Sequence, residues 1–107
     1  MKSDVLRGHL DALILATVEP RPLHGYAIIE ALAFRSDGEL DLPTGTVYPA
    51  LRRLESAGYL ESSWSSESGR KRRTYTLSRT GAKVLAAKRQ EWTSFAEVVS
   101  AVLQPAT

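Results

Sequence analysis

TGTVYPALRRLESAGYLESSWSSESGRKRRTYTL, residues 44–77, changes its period once, at Gly58. Before that glycine, Val47, Leu51 and Leu54 return at three- and four-residue steps, the spacing of one helical face. Thr44 is an N-cap candidate and Gly58 a natural C-cap, so the spacing predicts a helix between them. Pro49 lacks a backbone donor and is tolerated only if the helix begins close behind it, around residues 44–46. Thr46, Tyr48, Pro49 and Arg52 are then left facing outward, with Arg53 beside them. After Gly58 the period shortens to two. Leu60, Ser62 and Trp64 alternate against Glu61, Ser63 and Ser65, SESG turns the chain, and Arg73, Tyr75 and Leu77 alternate against Arg72, Thr74 and Thr76. That pattern is a two-stranded antiparallel ribbon with Trp64, Tyr75 and Leu77 on its apolar side. Its tip and outgoing arm carry Arg70, Lys71, Arg72 and Arg73 in succession. A lone ribbon is marginal in water, so it must lean on helices.

Those helices flank it. Leu6, Leu10, Leu13, Ile14 and Val18 share a helical stripe that Pro20 and Pro22 end, and Ala12, Leu15 and Ala16 widen it into a helix covered on more than one side. Residues 23–35 predict a second helix with Tyr26, Ile29, Leu32 and Ala33 inward. The polar, acidic SDGELDLP then reorients the chain. Downstream, Ser78 is the N-cap candidate for a long helix from about Arg79 to Leu103, on which Leu85, Trp92, Phe95, Val99 and Val102 fall at heptad-like spacing. At 1.5 Å per residue it runs about 37 Å, more than a small domain covers with its own residues. The second half of its stripe therefore calls for a partner, and a two-fold homodimer is the simplest.

Composition narrows the function. The 107 residues suit one compact unit, with residues 1–78 as the winged domain and 79–107 as a dimerisation helix. Fourteen Lys and Arg against twelve Asp and Glu leave only +2 overall, but residues 1–50 carry net −3 and residues 51–107 net +5. The positive charge is thus local to the ribbon half. Cysteine is absent, which excludes disulfide and thiolate chemistry, and His9 and His24 stand too far apart for a metal-site spacing. No cofactor is expected. Neither a secretory leader nor a membrane-length apolar run is legible, so a cytoplasmic protein without membrane association is expected.

Two helices joined by a turn, a third with small polar and aromatic residues at its exposed start, and a basic ribbon make a mainly α fold with a two-stranded β wing. This is a winged helix-turn-helix with a long C-terminal helix. The major groove of double-stranded DNA admits one helix, and a helix N-terminus can also face a phosphate. Thr44, Thr46, Tyr48 and Arg52 are assigned to that surface, Arg52 or Arg53 as a phosphate clamp, and Arg70 to Arg73 to the backbone beside the minor groove. Alternation puts Arg70 and Arg72 on one face and Lys71 and Arg73 on the other. Enzyme activity finds no support: there is no phosphate-binding glycine loop and no nucleophile motif. His24 and Glu30, six residues apart, lie on different helix faces, and a histidine beside a glycine at a helix start reads as a cap or a packing residue.

LDALILATV (10–18), LHGYAII (23–29), TGTVYPALRRLESAGYL (44–60) and GRKRRTYTLSRTG (69–81) together resemble the PadR family of bacterial regulators, in its short form with one C-terminal helix. The resemblance implies a homodimeric repressor of a palindromic operator, built on the first and last helices. Thr44, Thr46, Tyr48 and Pro49 match the family's DNA-contacting helix, and Gly69 to Arg73 its wing. Several short members hold planar aromatic or phenolic small molecules between subunits. By that resemblance Trp92 stacks on a ligand, with Leu10, Ile14 and Phe95 as walls. From the residues alone, an aromatic at the heptad-like position of Trp92 is more often dimer core than a ligand contact.

Overall fold

The computed structural model describes residues 6, 8–66 and 69–106. Helix α1 (Leu10–Val18) buries Ile14, Leu15, Thr17 and Val18. The sequence suggested one helix from Leu6. Gly8, at φ 85°, instead separates Leu6 from α1, a left-handed turn that glycine adopts at no steric cost. Leu6 still reaches the core. Buried Thr17 donates its hydroxyl to the Ile14 carbonyl (2.7 Å), so the polar group inside α1 is satisfied.

Leu23–His24 forms a short strand, β1, where a helix was expected, and α2 (Gly25–Arg35) follows directly. The inward stripe of α2 is Ile28, Ile29 and Leu32; Tyr26, expected inside, lies in the first turn and is exposed. Residues 36–43 connect α2 to α3 (Thr44–Ser56). Left-handed backbone at Asp37 (φ 56°) and Gly38 (φ 86°) reverses the chain, the Ser36 hydroxyl accepts from the Leu40 amide (2.8 Å), and buried Leu40 anchors the connection to the core.

Helix α3 begins at Thr44, with Pro43 and not Thr44 at its cap, and Pro49 falls inside it on the exposed side. Its end is a Schellman motif: the Gly58 amide donates to the Glu55 carbonyl and the Tyr59 amide to the Leu54 carbonyl, both at 3.0 Å, with Gly58 at φ 84°. Val47, Ala50, Leu51 and Leu54 are almost wholly buried.

Strands β2 (Leu60–Ser65) and β3 (Arg72–Leu77) pair antiparallel from Leu60–Leu77 out to Ser65–Arg72. The expected two-stranded ribbon gains a third member, because β1 pairs on the other side of β3, Leu23 with Tyr75 and His24 with Thr74. The turn SESG falls partly on residues 67 and 68, outside the described residues. Tyr75 and Leu60 are buried. Trp64, expected on the apolar side, lies beyond the reach of the helices, 62 % exposed, with the Arg73 guanidinium 5.3 Å from its ring centroid.

Ser78 caps α4 (Arg79–Leu103) by accepting from the Gly81 amide at 2.9 Å. Within its 25 residues only Gly81 and Leu85 are buried. Arg89 holds the helix to the end of α1 through a two-pronged pair with Glu19 (2.8 and 2.9 Å), and that hydrogen bond keeps the Glu19 carboxyl below its usual range. Beyond it, Trp92, Phe95, Val98, Val102 and Leu103 are all exposed. No helix among the described residues is long and apolar enough to cross a membrane.

Candidate nucleic-acid interface

Because α3 buries one face so completely, its other face is presented without competition. Thr44, Thr46, Tyr48, Pro49, Arg52 and Arg53 are all exposed, and among the described residues five of the six make no ion pair. The exception is Arg53. Its guanidinium is bound to the Asp11 carboxylate of α1, which neutralises part of the charge proposed for a phosphate clamp. Arg52 has no such partner among the described residues and lines the groove with the wing.

That groove, of about 520 Å³, opens between the start of α2, α3 and the wing. Tyr48 and Arg52 enter it from α3, Arg72, Arg73 and Tyr75 from β3, and Arg70 from the wing. Lys71, the remaining member of the basic run, is exposed but does not line it. Alternation was expected to part Arg72 from Arg73; both line the groove, but with different partners, Arg72 reaching His24 and Arg73 reaching Glu55 (3.4 Å) and Trp64. Arg70 and Lys71 precede the strand, so alternation does not govern them. Burial pushes the Tyr75 phenol up from its ordinary value, aided by the Glu55 carboxylate, and the group stays neutral at physiological pH.

Three features of this groove were not assigned from the sequence. Tyr26 reaches it from α2. Gly25 lets the Tyr48 ring lie directly on the start of α2: a Cβ there would stand 2.9 Å from Tyr48 Cε1 and 3.4 Å from Cζ. His24 does cap α2, as its place beside a glycine suggested, with Nδ1 accepting from the Ala27 amide at 3.1 Å, and its other ring nitrogen also faces Arg72. Gly25→Ala should therefore displace Tyr48 and weaken DNA binding by about tenfold. Its melting temperature should change by only a few degrees, because alanine suits a helix better than glycine and Tyr48 can rotate outward. Affinity titrations and a thermal melt on one preparation check both halves.

The residues assigned to a small-molecule site divide. Trp92 and Phe95 are exposed neighbours on α4, ring centroids 6.4 Å apart, and the Trp92 and His9 rings stand nearly perpendicular with centroids 5.3 Å apart. Leu10 is partly covered beside the core. Ile14 is completely enclosed by the protomer's own core and offers no wall to a ligand. A shallow groove of about 570 Å³ runs instead along α4, past Trp92, Ala96, Ser100 and Gln104.

A helix with one bare face beside a basic three-stranded wing defines the class: a winged helix-turn-helix DNA-binding protein. The PadR-like transcriptional regulator family model matches residues 14–87, and the chain belongs to that family. Among solved structures, a transcriptional regulator from Clostridium thermocellum shares 29 % identity, covers 94 % of this chain and 99 % of its own, and superposes with a TM-score of 0.87. A PadR family regulator from Eggerthella lenta shares 30 % over 97 % of this chain and 89 % of its own, with a TM-score of 0.85. Another from Clostridium difficile shares 36 % over 90 % of this chain and 99 % of its own, with a TM-score of 0.79. The chain is a transcriptional regulator and not an enzyme.

Proposed function

We propose that this regulator is a homodimeric repressor that places its two α3 helices in successive major grooves of a palindromic operator. The observation that carries this reading is the bare apolar stripe on α4, where Trp92, Phe95, Val98, Val102 and Leu103 are exposed on a helix whose two buried residues, Gly81 and Leu85, lie near its start. Residues 1–78 supply the DNA-binding unit and residues 79–107 the dimer contact. Thr44, Thr46, Tyr48 and Pro49 face base edges and sugars, and Arg52, Arg70, Lys71, Arg72 and Arg73 take phosphates, with Arg53 contributing less because Asp11 holds it. Repression is the regulatory sign implied by the family resemblance. Selection of bound fragments from random duplex DNA tests the arrangement. Two inverted half-sites about 10 bp apart, centre to centre, are expected; a single asymmetric site would sink the dimeric reading.

A ligand-released form of this repressor is supported by the neighbouring rings of Trp92 and Phe95 above an open groove. A planar aromatic or phenolic molecule would stack there between subunits. Trp64 is the second tryptophan, so the measurement uses Trp64→Phe, leaving Trp92 as the reporter. Quenching by planar aromatics with parallel release of operator DNA is expected. Unchanged fluorescence and unchanged DNA affinity would leave a ligand-independent repressor.

A further inference from the structure

His24 has a hydrogen-bonding problem that its partners among the described residues do not solve. Its Nδ1 accepts from the Ala27 amide at 3.1 Å, and its Nε2 lies 2.8 Å from Arg72 Nη1. A neutral imidazole has one acceptor nitrogen and one N–H, while a guanidinium only donates. Whichever nitrogen carries the proton, one N–H therefore points at another. The cap decides which: it is set three residues away by the backbone of α2, whereas Arg72 sits on a long exposed side chain that can move. The proton belongs on Nε2, leaving two donors side by side with no acceptor between them.

Among the described residues, no oxygen accepts from both members of the pair. Glu30 lines the same groove but makes no hydrogen bond or ion pair with either residue among the described residues. Tyr48, Arg52, Arg70 and Arg73 line the same space, so an anion entering there meets several arginines. The groove also adjoins the bare face of α3, where a duplex backbone passes if that helix lies in the major groove.

We infer that His24 contacts DNA: its Nε2–H and the Arg72 guanidinium jointly hold one phosphate oxygen of the duplex backbone. This inference rests on the DNA-binding reading of the groove. It makes His24 a hinge between two tasks, since one ring nitrogen starts α2 and the other fixes where the wing arginine meets DNA. The contact is neutral on the histidine side and charged on the arginine side, which separates their salt behaviour. It reads no base, so its loss is felt on any sequence.

The test uses His24→Ser and His24→Asn, both good helix caps that lack the reach of the imidazole, with Arg72→Ala for comparison. The probes are a 30-bp duplex selected by this protein and a shuffled duplex of the same composition, titrated by fluorescence anisotropy between 50 and 200 mM salt. Both histidine variants should bind the two duplexes about three- to tenfold more weakly, as for loss of one hydrogen bond, with melting temperature and salt slope near those of the parent. Arg72→Ala should weaken binding and reduce the slope of log K against log salt by about 0.9. Parent-like affinity in both histidine variants overturns the inference, as does a loss confined to the selected duplex. Failure of the parent protein to bind either duplex would instead remove the DNA-binding reading itself.

Discussion

Phe95→Glu combined with Val102→Glu is expected to give a folded monomer that binds operator DNA at least a hundredfold more weakly than the parent. Trp92, Phe95, Val99 and Val102 follow one another at steps of three, four and three, the spacing that keeps a stripe facing a partner helix. Phe95 is 57 % exposed and Val102 78 % exposed, so neither contributes much to the protomer's own core. Two carboxylates per chain would face their counterparts across a dimer axis, uncompensated and desolvated, a penalty of several kcal/mol. Separating the subunits turns the second half-site contact from an intramolecular event into an independent one, and avidity of about a hundredfold or more goes with it. Light scattering coupled to size exclusion reads the mass, circular dichroism the fold and anisotropy the affinity. A variant that stays dimeric and binds as the parent does would place the subunit contact away from α4.

The difference between what sequence periodicity revealed and what it concealed follows from the range of the interactions. Helix α4 was legible to its last residue, because Ser78 caps it locally and the apolar spacing persists over 25 residues. The end of α3 was equally legible in Gly58, whose left-handed backbone is required by the carbonyls of Leu54 and Glu55. Two-residue β1 has no period to read. It exists because Tyr75 and Thr74, some fifty positions away, offer Leu23 and His24 a free strand edge. Tyr26 and Trp64 have the chemistry of core residues and the right parity, yet both stand where the neighbouring element ends, and only the tertiary arrangement decides that.

The site divides along the same line. That Thr44, Thr46, Tyr48, Pro49 and Arg52 share one bare surface followed from the helical repeat once Val47, Leu51 and Leu54 were taken as buried. That Arg53 is tied to Asp11, 42 positions away, did not. The cap formed by His24 was a local inference and the Arg72 contact a distant one, the partners standing 48 positions apart. Ile14 illustrates the converse: its place on the first helix suited a ligand wall, but the same stripe is what the domain needs for its own core.

Gly81→Ala should be the most damaging single-methyl change in the molecule, lowering stability by roughly 3 kcal/mol or more, toward the upper end of overpacking effects. A Cβ at position 81 would stand 2.0 Å from the Tyr59 carbonyl oxygen and 2.9 Å from both its carbon and Leu77 Cδ1. Leu77 could turn aside. The Tyr59 carbonyl cannot, because it already accepts from the Ser78 amide at 3.1 Å, and Tyr59 is itself fixed through its amide to the Leu54 carbonyl at the end of α3. The helical gain from alanine over glycine, about 1 kcal/mol, is too small to offset the clash. Relief requires the start of α4 to move off β2, which breaks the Ser78 cap and draws Leu85 out of the core. At about 4–8 °C per kcal/mol for a domain of this size, the melting temperature should fall by more than 10 °C. Since α4 also carries the exposed stripe, the proposed dimer should weaken together with the fold. A variant that melted within a few degrees of the parent would mean that α4 can be displaced from the winged domain at little cost, and the 25-residue helix would then be a tethered arm instead of a rigid extension of the core.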